Sequence, residues 1–190
     1  MSFFVDDEVL ARLDRLEIPF NEVGVDPYGI SKEHLARFYA MLGFLYRRYF
    51  AVKAYGLEQV PERGRAMLVG NHSGGLITPD FAVFAVDYYE RFGYGRPLYT
   101  LAHDSLFHGP AGELLPHLGI VHACPENAAA ALAADAAVLV FPGGDEDVYR
   151  PTRAETVIDF AGRTGYVTAA AAAGAPIVPM VSIGGQETQL

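Results

Sequence analysis

The chain has 190 residues, 51% of them hydrophobic, and a net charge of -9 at pH 7. That length suits one domain with a sizeable core, and the acidic balance excludes generic nucleic-acid binding. The one cysteine, Cys124, excludes an internal disulfide and fits a reducing cytosol. It reads as a small buried apolar residue, with a nucleophile as the alternative.

Residues 1 to 30 carry seven acids and two arginines, which leaves the remainder closer to neutral. Met1 to Val5 is apolar, but Asp6, Asp7 and Glu8 follow, so no secretory signal is expected. Ser31 is placed to cap a helix over Lys32 to Tyr49, with Leu35, Phe38, Leu42, Leu45 and Tyr49 on one face. No charge lies between Arg37 and Arg47, so this helix is expected either in the core or in a membrane interface, with Arg47 and Arg48 reaching headgroups. Residues 1 to 50 therefore read as an N-terminal helical segment, and residues 51 to 190 as an α/β core.

Within the core, strands are expected at Ala51 to Tyr55, Ala66 to Val69, Leu98 to Ala102, Ile120 to Ala123, Ala137 to Phe141 and Pro176 to Ile183. Helices are expected at Pro79 to Phe92, Ala111 to Leu118, Pro125 to Ala134 and Arg163 to Ala173. The alternation implies an α/β fold with a largely parallel central sheet flanked by helices. Thr164 to Gln186 lacks charge but is interrupted by glycine and proline, so it reads as a helix and a buried strand rather than a membrane span.

The loop Gly70-Asn71-His72-Ser73-Gly74-Gly75-Leu76-Ile77-Thr78-Pro79-Asp80 places a histidine after a strand and an acid at a helix start. Thr78, Pro79 and Asp80 suit the N-cap, the first turn and the positive end of the helix dipole. This pattern resembles the first motif of the glycerolipid acyltransferases, the lysophosphatidate and glycerol-3-phosphate acyltransferase family. Phe141-Pro142-Gly143-Gly144 resembles that family's Phe-Pro-Glu-Gly loop, and Ala175 to Met180 its later strand motif ending in proline. The paired glycines in the first two motifs look most like the diacylglycerol-acyltransferase-like bacterial branch.

Three departures accompany the resemblance. Seven residues separate His72 from Asp80, where the family usually has four. Gly143 stands where the family has glutamate, and Gly119 to Pro125 lacks the arginine of the second motif. Arg150, and less strongly Arg163, are the candidates to replace that phosphate contact. The chain stops at Leu190, soon after the last motif, where members of that family tend to continue, so the α/β core is expected to be truncated at its C-terminus and to lack elements of the sheet or the acyl tunnel.

The resemblance implies an O-acyltransferase that moves a fatty acyl group from acyl-CoA, or acyl carrier protein, to a hydroxyl of a glycerolipid or lysophospholipid acceptor. His72 would be the general base and Asp80 the carboxylate that orients it. Asn71, Ser73, Gly74, Gly75, Phe141, Pro142, Gly143, Gly144 and Arg150 are expected to form the substrate site. Backbone donors for an oxyanion would come from Ser73 to Gly75 or from Gly143 and Gly144. No metal or other cofactor is called for, and the acids Asp145, Glu146 and Asp147 read as a solvated cluster. The expected location is peripheral, on the cytoplasmic side of a membrane. The competing readings are a catalytically silent lipid-binding protein of the same fold and a lipid ester hydrolase.

Overall fold

The computed structural model describes residues 29–74, 79–92, 96–110, 112–154 and 156–189. The acidic residues 1 to 28, and the expected site and cap residues Gly75 and Thr78, lie outside them.

Five strands, β1 (Ala66–Gly70), β2 (Leu98–Ala102), β3 (Ile120–His122), β4 (Ala137–Val140) and β5 (Ile177–Met180), form one sheet in the order β3-β2-β4-β1-β5. Every pairing is parallel, with Leu68 opposite both Leu139 and Val178. A parallel sheet is covered on both faces, which is why β1 and the first three residues of β4 are uninterrupted runs of buried residues. At the edge, β5 alternates exposed and half-buried residues and carries Pro179, whose missing N–H is tolerated there.

Among the described residues the α-helices are α1 (Lys32–Leu45), α2 (Asp80–Phe92), α3 (Pro125–Ala133), α4 (Gly144–Val148) and α5 (Gly165–Ala173). In α2 the residues Ala82, Ala85, Val86, Tyr88 and Tyr89 are buried, forming one apolar face against the core. Cys124 caps α3, its sulfur accepting from the N–H of Asn127. It is half-buried and accepts a hydrogen bond, where a small buried apolar residue is expected. Among the described residues no helix is long and apolar enough to cross a membrane.

Three expected elements differ. Ala51 to Tyr55 is not a strand: α1 widens into a π turn at Tyr46–Phe50, Ala51 turns left-handed at φ 47°, and the chain runs on without a sheet partner. The helix expected over Ala111 to Leu118 does not form in its described part, 112–118, because Pro116 has no N–H to continue one; a short 3-10 turn, Pro116–Leu118, stands there instead. In α1 the expected membrane face is partly a core face, since Phe38 and Leu42 pack against the sheet-side cluster. The exposed apolar residues are instead Met41, Phe44 and Tyr49, at 58%, 64% and 74% exposure.

Candidate active site

The strand order decides the site. With β1 between β4 and β5, the loops leaving their carboxyl ends lie side by side: Asn71 to Gly74 in the middle, Phe141 to Gly144 on one flank, Val181 to Gly185 on the other. The carboxyl edge of a parallel sheet is where open α/β folds bind ligands.

His72 Nδ1 lies 3.1 Å from Asp80 Oδ2, and the histidine side chain is 18% exposed while the Asp80 side chain is fully buried. Asp80 is further held by the Ser73 N–H at 2.7 Å, the Ser73 hydroxyl at 3.1 Å and the Ser182 hydroxyl at 2.7 Å. An ionised carboxylate only accepts, so the imidazole must present its N–H at Nδ1 and its lone pair at Nε2. The Phe141 ring stacks on the imidazole at 4.4 Å between centroids and 18° between planes, which fixes the ring's tilt.

The flanking loops lock the backbone around this pair. Asn71 is buried and exchanges two bonds with Ser182, donating to its carbonyl at 2.9 Å and accepting from its N–H at 2.7 Å. Gly185 closes over the carboxylate: a Cβ there would lie 2.2 Å from Ser73 Oγ and 3.0 Å from Asp80 Oδ1, so only glycine fits. On the other flank Arg163 Nη1 donates to the carbonyls of Pro142 at 3.2 Å and Gly143 at 2.6 Å. Its Nη2 also donates to Asp145 at 2.9 Å, which holds that exposed carboxyl below its ordinary value.

Two expectations are corrected by this geometry. Asp147 is not part of a solvated cluster: Asp145 and Glu146 are exposed, whereas Asp147 is 1% exposed, accepts the His72 N–H and is ion-paired with Arg150. Arg150 does not reach outward as a phosphate contact would, because its side chain is only 9% exposed and donates to the His72 carbonyl at 3.1 Å and the Asp147 carbonyl at 3.2 Å. Two of the expected oxyanion donors are also engaged, the Ser73 N–H by Asp80 and the Gly144 N–H by the Phe141 carbonyl at 3.1 Å.

The sequence reading gives Asp147 no role at the site and does not single out Ser182 or Gln186, the last of which donates to the Arg150 carbonyl at 3.1 Å. The spacing of Asp147 and Arg150, three apart after a strand-ending glycine pair, was the available signal for the first. Beside Asp80 a cavity of about 650 Å³ opens, with Val52, Leu68, Val83, Phe84, Val178 and Met180 among its apolar walls.

The comparisons with known proteins point the same way. Uncharacterized proteins of Mycobacterium tuberculosis (strain ATCC 25618 / H37Rv) and Mycobacterium bovis are each 32% identical over 168 residues, 88% of this chain and 46% of theirs. One from Mycobacterium leprae is 30% identical over 88% of this chain and 44% of its own length. The chain thus spans about half the length of the curated relatives it matches. No solved structure matches it significantly. The Acyltransferase family profile matches residues 51–183, a span that holds His72, Asp80, the Phe141 loop and β5, and the chain belongs to that family.

Proposed function

We propose that this chain transfers a fatty acyl group from a thioester, acyl-CoA or acyl carrier protein, to a hydroxyl of a glycerolipid or lysophospholipid acceptor. The reading places it in the diacylglycerol-acyltransferase-like branch, acting at the cytoplasmic surface of a membrane. The observation that carries it is the His72–Asp80 pair, stacked on Phe141 at the carboxyl edge of the sheet.

In this mechanism His72 Nε2 takes the acceptor hydroxyl proton as the oxygen attacks the thioester carbonyl. Asp80 stabilises the imidazolium that forms. The tetrahedral intermediate then expels the thiolate, which recovers the proton from the imidazolium, so no acyl-enzyme forms and Cys124 takes no part. With the Ser73 and Gly144 N–H groups engaged elsewhere, the Gly143 N–H is the expected donor that this mechanism turns toward the oxyanion. The cavity beside Asp80 falls in the usual size range of small-molecule sites and is apolar enough for an acyl chain.

The hydrolase alternative is disfavoured by Ser73, whose hydroxyl is buried and spent on Asp80. The test is thioester turnover against a panel of hydroxyl acceptors. His72→Ala should lose on the order of a hundred to ten thousand fold, with unchanged far-UV circular dichroism. Near-normal turnover in that variant overturns the base assignment. Saturable lipid binding by the wild type without any turnover favours the silent lipid-binding protein.

A further inference from the structure

We infer that Asp147 and Arg150 form a charge-balanced bracket that positions His72 and sets how readily its imidazole takes up a proton. The proposal rests on the reading of His72 as the base. Three observations carry it.

First, the pair holds both ends of one residue: Asp147 accepts the N–H of His72, and Arg150 donates to its carbonyl. Second, the pair is inside the protein, with the two side chains 1% and 9% exposed, so its charges are little screened by solvent. Third, the chain makes room for it, since a Cβ at Gly143 would lie 2.4 Å from the Asp147 Cβ.

Among the described residues the charges facing His72 come from two sides. Asp80 approaches from α2, and Asp147 with Arg150 from α4 and the turn after it. Ser182 and Gln186, beyond β5, are uncharged, and Arg163 is paired with Asp145 on the carbonyls of the Phe141 loop. Arg150 neutralises Asp147, so His72 faces one uncompensated carboxylate, on the ring nitrogen that carries the proton. Without the arginine a second buried anion would favour the imidazolium, which cannot act as a base; without the aspartate a buried cation would oppose it.

This gives opposite signs for the two halves of the bracket. All three Arg150 bonds leave from Nη1, while its buried Nε makes none among the described residues. A lysine ammonium, with three donors on one nitrogen, can therefore stand in for it.

The experiment is an NMR titration of the full chain labelled in histidine, the His72 signals being assigned by their loss in His72→Ala. Arg150→Gln should move the His72 titration midpoint up, Asp147→Asn should move it down, each on the order of one pH unit, and Arg150→Lys should restore the wild-type position. The acid limb of the turnover profile should move in the same directions. Midpoints that coincide in all variants, with only the melting temperatures changed, overturn the proposal and leave the pair as packing. If Asp147→Asn does not fold, the comparison of Arg150→Gln with Arg150→Lys decides alone. The titration does not depend on turnover, so shifted midpoints in a chain whose His72→Ala variant stays active would sink the base assignment and keep the bracket.

Discussion

Gly143→Ala is the sharpest test of how the site is packed. Gly143 has φ -62° and ψ -31°, a backbone any residue adopts, so the substitution introduces no conformational strain. The cost is spatial. The new methyl would sit 2.4 Å from Asp147 Cβ, 2.9 Å from its Cγ and 2.8 Å from the Asp159 carbonyl oxygen, where carbon atoms are comfortable at about 3.5–4.0 Å. Asp147 would have to retreat by about an ångström, loosening its hold on the His72 N–H and on Arg150. Overpacking of this kind costs about 1–3 kcal/mol. At about 2–4 °C per kcal/mol for a chain of this length, the melting temperature should fall by roughly 2–12 °C, measured by calorimetry with urea unfolding as the check. An Asp147→Gly background should remove the part of the difference between glycine and alanine at 143 that comes from Asp147, leaving the contact with the Asp159 carbonyl. A Gly143→Ala protein melting within about 1 °C of wild type would refute the crowding argument. Gly143→Glu, which recreates the Phe-Pro-Glu-Gly loop that the sequence resembles, should be worse still, because the space for its side chain already holds another carboxylate.

Two further outcomes follow from the fold. Burial pushes the Asp87 carboxyl up, against the opposing hydrogen bond from Tyr46, so the native state favours its protonated form and this stability is lost as pH rises from the ordinary carboxylate range through the raised value. Asp87→Asn should accordingly raise the melting temperature at pH 7 and flatten its decline above pH 4, and an unchanged profile would show that the buried charge costs nothing. For membrane attachment, Met41→Ser with Phe44→Ser should reduce liposome co-sedimentation while leaving stability intact, whereas Phe38→Ser and Leu42→Ser should lower stability, because they pack inward; undiminished liposome binding by the first pair would remove that surface from the membrane.

What could be read in the sequence was local. Runs such as Ala66 to Val69 and Ala137 to Val140 are apolar throughout because both faces of a parallel strand are covered, and their positions agree with β1 and β4. The Ala51 to Tyr55 strand failed because apolar alternation says nothing about whether a neighbour offers hydrogen bonds. The helix expected over Ala111 to Leu118 is absent from its described part because an apolar pattern does not register the N–H that Pro116 lacks. Helix α1 was uniform enough in composition that its buried side could not be chosen, and tertiary contact with α2 made the choice. At the site, His72, Asp80 and Phe141 come together as their loops suggested. Ser182 and Asp147 could not be found in the same way, since their partners lie 102 and 75 residues away and only the order β4-β1-β5 brings them close. Arg150 was legible as a cation near the site, but a sequence does not show which way a cation points.

The long interval between His72 and Asp80 illustrates how weak a guide spacing is beside hydrogen bonding. Closing a loop with seven intervening residues rather than four costs only about 0.5 kcal/mol more by chain entropy. Against that, Asp80 is gripped by three donors besides the imidazole, two of them from Ser73 and one from Ser182 across the sheet. Hydrogen bonds to a charged group are each worth about 1.5–3 kcal/mol, so a single one outweighs the longer loop. The carboxylate therefore stays on Nδ1 whatever the loop's length, provided that β5 delivers Ser182 and that Gly185 leaves space above it. Departures of spacing in the first motif are tolerable in this chain because hydrogen bonds from Ser73 and from Ser182 beyond the last strand, rather than the number of residues between His72 and Asp80, fix where the acid sits.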